Sequence, residues 1–321
     1  MKLLVTGGLG FIGSNFINYW FKKHSKDTII NLDKVTYAAD QRNLTGIEKY
    51  NYTFVKGDIS NPKTVLTFSK NVDTIVNFAA ESHVDNSILN SSNFVKSNII
   101  GVHNLLEAVR KYGTRFHQVS TDEVYGSLPL NSKLKFNEKS RYNPRNPYSA
   151  TKAAADHLVN AYFNTYKLPV TISNCSNNYG PNQHPEKLIP KTIINAVKEM
   201  PIPVYGNGLQ VRDWIYVEDH CSALEQIIKK GIYGETYLVS ANGEKRNIDV
   251  IKSILKELNK SEKLINFVKD RPGHDVRYAI DASKIIKELN WKSNTKFDYG
   301  LRLTINHYTK NLDHYLEKVG I

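Results

Sequence analysis

The strongest constraint on the fold stands at the start of the chain, where Gly7-Gly8-Leu9-Gly10-Phe11-Ile12-Gly13 follows the apolar run Lys2 to Thr6 and opens the amphipathic stretch Phe11 to His24. Gly7 permits a tight turn, Gly10 lets backbone approach a pyrophosphate, and Gly13 lets the helix pack closely on the sheet. The first amides of that helix, at Phe11 and Ile12, would face the phosphates. Such spacings also arise by chance in turns, but here the motif has the strand-turn-helix context that dinucleotide binding requires. Asp33 closes the second apolar run, 20 residues after Gly13, where a carboxylate meets the adenosine ribose hydroxyls. Its charge favours NAD over NADP, with Lys34 next door as the one opposing feature. Asp58 and Ile59, after the third run, fit the adenine. The span Phe78 to Ser82, with Ala79, Ala80 and Glu81 between them, follows the fourth and fits the rest of the cofactor.

The alternation continues. Strands are expected at 28–33, 52–58, 73–80, 115–121 and 169–174, with helices at 62–69, 92–112 and 147–166. Apolar runs alternating with helical patterns predict an α/β chain with a doubly wound parallel sheet. This is a Rossmann domain over 1–175 with returning segments near 210–240, and a smaller C-terminal substrate-binding lobe mainly over 176–321. The lobe is expected to hold helices at 186–198, 248–258 and 299–312 and a strand at 236–240. Ligands should gather beyond the carboxyl ends of the strands.

Length and composition agree with this: 321 residues, 40% hydrophobic, can bury a full core. No apolar run is long enough to span a bilayer, and Met1 leads straight into a strand, so a cytoplasmic protein without a membrane partner is expected. The two cysteines, Cys175 and Cys221, lie in no metal-ligand or disulfide pattern. The net charge of +12 is scattered along helical stretches among acidic residues, which argues against a nucleic-acid footprint. It would still attract a diphosphate.

Chemistry concentrates between 119 and 152. Thr121, Asp122 and Glu123 end the fifth strand, and Tyr148 precedes Lys152 by one helical turn. That spacing puts phenol and ammonium on one helix face, where the cation should lower the phenol's pKa. An ordinary tyrosine/lysine dehydrogenase would not need the two carboxylates.

These segments, with Ala-Ala-Glu-Ser-His-Val-Asp at 79–85, Cys-Ser-Asn-Asn-Tyr-Gly-Pro at 175–181, Pro-Glu-Lys-Leu-Ile-Pro at 185–190, Arg-Asp-Trp-Ile-Tyr-Val-Glu-Asp-His at 212–220 and Asp-Arg-Pro-Gly-His-Asp at 270–275, resemble the nucleotide-sugar branch of the extended short-chain dehydrogenase/reductase family. Within that branch the chain is similar to the 4,6-dehydratases. The resemblance implies that Tyr148 takes the proton of the sugar's 4-hydroxyl while hydride passes to NAD, with Lys152 holding the nicotinamide ribose and Thr121 bonding the 4-oxygen. It implies that Glu123 removes the C5 proton, that Asp122 protonates the departing 6-hydroxyl, and that hydride returns to C6. Ser97 and Asn178 join the cofactor contacts by the same resemblance. Substrate contacts carry over to Ser82, His83, Asn177, Lys187, Leu188, Pro203, Val204, Tyr205, Arg212, Asn247, Asp270, Arg271 and His274. The implied substrate is dTDP-glucose, with UDP-glucose open, and the implied assembly is a homodimer through 92–112 and 147–166. A nucleotide-sugar 4-epimerase and an NAD-binding regulatory protein are the competing functions.

Overall fold

A computed structural model describes residues 1–319. Strands β1 (Lys2–Thr6), β2 (Thr28–Asp33), β3 (Asn51–Lys56), β4 (Thr74–Asn77), β5 (Arg115–Thr121) and β6 (Val170–Cys175) form a parallel sheet in the spatial order 6-5-4-1-2-3. The order reverses at β1, so the crevice for a ligand opens beside β1 and β4. Beyond β6 lie β7 (Asn177–Tyr179), β8 (Ile202–Tyr205), β9 (Val211–Tyr216), β10 (Thr236–Val239), β11 (Glu244–Arg246) and β12 (Ile265–Val268). The strand at 236–239, counted among the lobe's elements but also within the returning segments expected near 210–240, pairs parallel with β6 as the seventh strand of the large sheet. Tyr237, Leu238 and Val239 are fully buried there, the first and last in a cluster with Cys175 of β6 and Leu238 in one with Val124 and Ala153.

Side chains alternate between the two sheet faces, as the strand period demands. Leu3 and Val5 pack with Phe16, Ile17 and Trp20 of α1 (Phe11–Lys23). Leu4 packs on the other face with Val102, Leu105 and Val109. Both faces are covered, which explains why the strands read as continuous apolar runs. α2 (Pro62–Ser69), α3 (Val84–Leu89), α4 (Ser92–Phe94), α5 (Gly101–Tyr112) and α6 (Pro147–Tyr166) complete this half. The expected single helix at 92–112 is interrupted by a π-helical stretch at Val95–Ile100. It brings Ser97 into the cleft wall, while Asn98 ties the amide and carbonyl of Glu81 to the Thr151 hydroxyl of α6.

The smaller lobe is built on α7 (Leu188–Val197), α9 (Asn247–Glu257), α11 (Phe297–Lys310) and α12 (Leu312–Val319), with α8 (Val217–Lys230) returning to pack on α1 and α10 (Ser283–Leu289) flanking β10. Its core gathers Ile189, Ile193, Trp214, Tyr216, Val250, Ile305 and Tyr308. α7 begins two residues later than the expected 186. Glu186 and Lys187 therefore stay outside the helix, with Lys187 extended, and face the cleft. Among the described residues no helix is long and apolar enough to cross a membrane.

Candidate active site

A cleft of about 310 Å³ runs along the carboxyl ends of the strands, from the glycine turn to Glu123 and on to Lys187. At its first end the backbone is in close contact with itself. Gly7 has φ +72°, and a Cβ there would stand 2.6 Å from the Ala79 nitrogen, while one on Gly13 would press into the Gly7 carbonyl oxygen. Gly10 starts α1 with no side-chain cap, leaving the helix amides free for an anion. Asp33 accepts from the Leu9 amide at 3.0 Å and the Val35 amide at 2.8 Å, so it also braces the glycine turn against β2. Burial raises its carboxyl, with both amides opposing. Lys34 pairs with Asp58 at 2.9 Å. The cation that opposed the choice of NAD already has a carboxylate partner, and among the described residues no arginine lines the cleft to take a 2′-phosphate. A cradle that only glycine can form, a bare helix N-terminus and a carboxylate at the end of β2 together fit NAD.

The reactive groups meet at the end of β5. A short 3₁₀ turn at 122–125, begun by the Thr121 hydroxyl accepting the Glu123 amide at 3.3 Å, turns both carboxylates toward the cleft. Asp122 is 1% exposed, and its Oδ2 has no hydrogen-bond partner. Burial, then the charges of Glu123 and Asp213, push its carboxyl well above the ordinary range. Burial also raises Glu123, but Arg212, Arg271 and Lys187 pull against it. Two adjacent carboxyls thus occupy different electrostatic settings.

Tyr148 and Lys152 stand on α6 with both side chains buried against the cleft, as their spacing predicts. The expected lowering of the phenol by the ammonium is not the arrangement found. Lys152 Nζ donates to the Val119 carbonyl at 2.7 Å, and its own pKa is lowered by burial, with Asp156 opposing. Burial and then the Glu123 charge hold Tyr148 well above its ordinary value, against a hydrogen bond with Thr121. Desolvation dominates, and the charges that follow it come from acids, so a phenolate is disfavoured there.

All the predicted cofactor residues line the cleft: Gly7, Gly10, Phe11, Ile12, Gly13, Asp33, Lys34, Asp58, Ile59, Phe78, Ala79, Ala80, Ser82, Ser97, Tyr148, Lys152 and Asn178. Of the substrate contacts, Ser82, Thr121, Asn177 and Lys187 line it too. The others lie outside that lining. Arg212 is fixed by the carbonyls of Val211 and Asp275 and lies over the Tyr278 ring at 4.4 Å. Arg271 bonds Asp85 at 3.4 Å and lies over Tyr205, and His274 bonds Asp270 at 2.6 Å. His83 caps α3 and faces Glu186 at 3.8 Å. Asn247 opens α9 with a buried, unpartnered side-chain oxygen. Val204, between Pro203 and Tyr205 on β8, is 2% exposed in a core cluster with Leu188, so its side chain cannot meet a ligand.

Glu81, inside the expected span Phe78 to Ser82, lines the cleft as well, whereas sequence reasoning missed Gln183, His184 and Glu186, which also line it. Glu186 joins Tyr37, His83, His184 and Lys187 in one polar cluster. The available signal was its place beside Lys187.

The sequence profile of the GDP-mannose 4,6 dehydratase family matches residues 4–304. Among curated proteins, the dTDP-glucose 4,6-dehydratase of Haemophilus influenzae is 48% identical over 97% of this chain and 98% of its own. That of Escherichia coli is 45% identical over 97% and 94%. A dTDP-glucose 4,6-dehydratase from Streptomyces venezuelae, solved with NAD bound, superposes with TM-score 0.96 at 39% identity, covering 99% of this chain and all of that one. A UDP-glucose 4-epimerase from Thermus thermophilus shares the fold at TM-score 0.88 but only 25% identity, over 96% of this chain and 99% of that one. With its glycine cradle, paired carboxyls and Tyr148-Lys152 helix, the chain belongs to the GDP-mannose 4,6 dehydratase family, alongside the dTDP-glucose 4,6-dehydratases.

Proposed function

We propose that the chain is an NAD-dependent hydro-lyase that converts dTDP-glucose to dTDP-4-keto-6-deoxyglucose and water. The observation that carries this is the Asp122-Glu123 pair, two neighbouring carboxyls in one cleft whose settings differ. Elimination needs one group to give a proton and another to take one, and such a pair divides those roles. Bound NAD would supply the hydride acceptor and later the donor, so the net change is loss of water alone.

The chain's residues then divide the work. Thr121 and Tyr148 hold the sugar's 4-oxygen, and Tyr148 accepts its proton once the cleft carries the cationic nicotinamide to offset the burial. Once C4 is a ketone, the C5 proton is acidic and passes to Glu123, whose nearby arginines and lysine favour the carboxylate. Asp122, kept protonated by its burial, delivers its proton to the 6-hydroxyl, which leaves as water. Lys187, Arg212 and Arg271 supply positive charge on the Glu123 side, suited to a diphosphate. An epimerase on this scaffold has no need of the buried acid, which is why the dehydratase is favoured over the 4-epimerase.

The glycine-rich half, 1–175 with the segment near 210–240, serves the cofactor, and most of 176–321 serves the substrate. Two copies join through 92–112 and 147–166, whose partly exposed Val95, Ile100 and Tyr166 suit a helical interface. The site of action is the cytoplasm, where nucleotide sugars are made. Incubation with dTDP-glucose and, separately, UDP-glucose without added reductant tests the proposal. A product lighter by one water from the thymidine nucleotide is expected, whereas an isomer of unchanged mass would establish the epimerase.

A further inference from the structure

The C-terminal helix is far in sequence from the cofactor half, yet it grips the loop at the adenosine end of the cleft. Thr36, Ala38 and Ala39 of that loop line the cleft. The loop is tied to the glycine turn because the Asp40 amide and the Asn43 side-chain amide both donate to the Leu9 carbonyl, at 3.0 and 3.2 Å. Asp40 is only 8% exposed, a poor setting for an unpaired carboxylate. It is instead ringed by partners: the Arg42 guanidinium at 3.1 Å from its own loop and, from α12, the His314 ring at 3.0 Å and the Lys318 ammonium at 3.5 Å. Burial works against ionisation, but these partners hold the carboxyl below its ordinary range. The same helix reaches the opposite wall. Tyr315 packs on the Tyr308 ring at 4.4 Å, and the Tyr308 hydroxyl donates to the carbonyl of Gln183, a cleft residue.

We propose that Asp40, gripped by His314 and Lys318, is a positioning residue that keeps this loop closed over the adenosine end of bound NAD, so that the C-terminal helix slows loss of the cofactor. The inference rests on the NAD-dependent reaction above. A cofactor restored in every turnover has no need to leave, so a clasp on it carries no kinetic penalty. Converting Asp40 to an amide would leave the Lys318 ammonium, 10% exposed, without its counter-charge.

The test compares wild type, Asp40→Asn and the double variant His314→Gln/Lys318→Met, each loaded with NAD and then desalted. NAD retained per chain and its dissociation rate are measured beside the melting temperature of the NAD-free proteins. Both variants should release NAD at least about tenfold faster, as a loss of roughly 1.4 kcal/mol in the clasp would give, and turnover lost on desalting should return with added NAD. Wild-type release rates in variants whose NAD-free form melts lower would overturn the clasp and leave a purely structural role. If Asp40→Asn fails to fold, the double variant tests the same contact from the helix side. A wild-type chain that takes up no NAD would instead overturn the cofactor reading, a separate failure.

Discussion

Replacing Gly7 and Gly10 separately by alanine should split folding from cofactor binding, because the two glycines are needed for different reasons. At Gly7 the backbone has φ +72°, and a new Cβ would stand 2.6 and 2.7 Å from the nitrogen and Cα of Ala79, backbone atoms just beyond β4. The left-handed conformation costs an L-residue roughly 1–2 kcal/mol. Overpacking against atoms that cannot rotate away adds about 1–3 kcal/mol. Gly7→Ala should therefore lose about 2–5 kcal/mol of stability, a fall of several degrees in Tm. Gly10 has φ −75°, and its added Cβ would meet nothing nearer than the Gly7 carbonyl at 3.4 Å. Gly10→Ala should leave the NAD-free protein within about 0.5 kcal/mol of wild type. Its methyl would still stand at the open N-terminus of α1, where a pyrophosphate must approach, so NAD affinity should fall about tenfold or more. Thermal melts of the NAD-free proteins and calorimetric titration with NAD give both quantities. A Gly7→Ala protein that melts with wild type, or a Gly10→Ala protein that binds NAD as wild type does, would refute the reasoning.

Other perturbations bear on the acid pair and the cleft mouth. Asp122→Asn should abolish dehydration yet raise stability at pH 7 by on the order of 1 kcal/mol. The folded state prefers protonated Asp122, so ionisation costs the native protein more as pH rises above the ordinary 3.8, and the gain in Tm should grow over that range. Glu123→Gln should lower dehydration by about 10²–10⁴-fold while NAD retention stays as in wild type, a pattern read by product mass and by bound NAD. Burial raises the Glu186 carboxyl, but the His184 hydrogen bond and the charges of Lys187 and His83 bring it down to about 2. Its stabilisation is full above the ordinary 4.5 and lost as pH falls toward 2, so the Tm deficit of Glu186→Gln should be largest near neutrality and vanish in acid.

The first half of the fold was legible because its signals are local. The glycine spacing, the carboxylate ending β2 and the tyrosine-lysine turn each fix a backbone feature within a few residues, and all lie in the cleft. What stayed hidden depends on distant contacts. β10 looks like any short apolar strand, and its place beside β6 is set by the free edge of a sheet more than 60 residues upstream. The π-helical stretch at 95–100 leaves the pattern of apolar residues almost unchanged. The charge state of Tyr148 could not be read from its spacing to Lys152, because burial and the Glu123 carboxylate come from other elements. Glu186 was passed over because its importance rests on where α7 begins.

The central claim, that Glu123 and Asp122 carry out an elimination, is tested most directly by running the reaction in deuterated water with dTDP-glucose and recording the product by mass spectrometry. The account predicts a 4-keto sugar nucleotide that has lost one water and carries one solvent deuteron at C5, since the proton taken by Glu123 is replaced from solvent. A product of unchanged mass, or one that has lost water without taking up deuterium at C5, would contradict it.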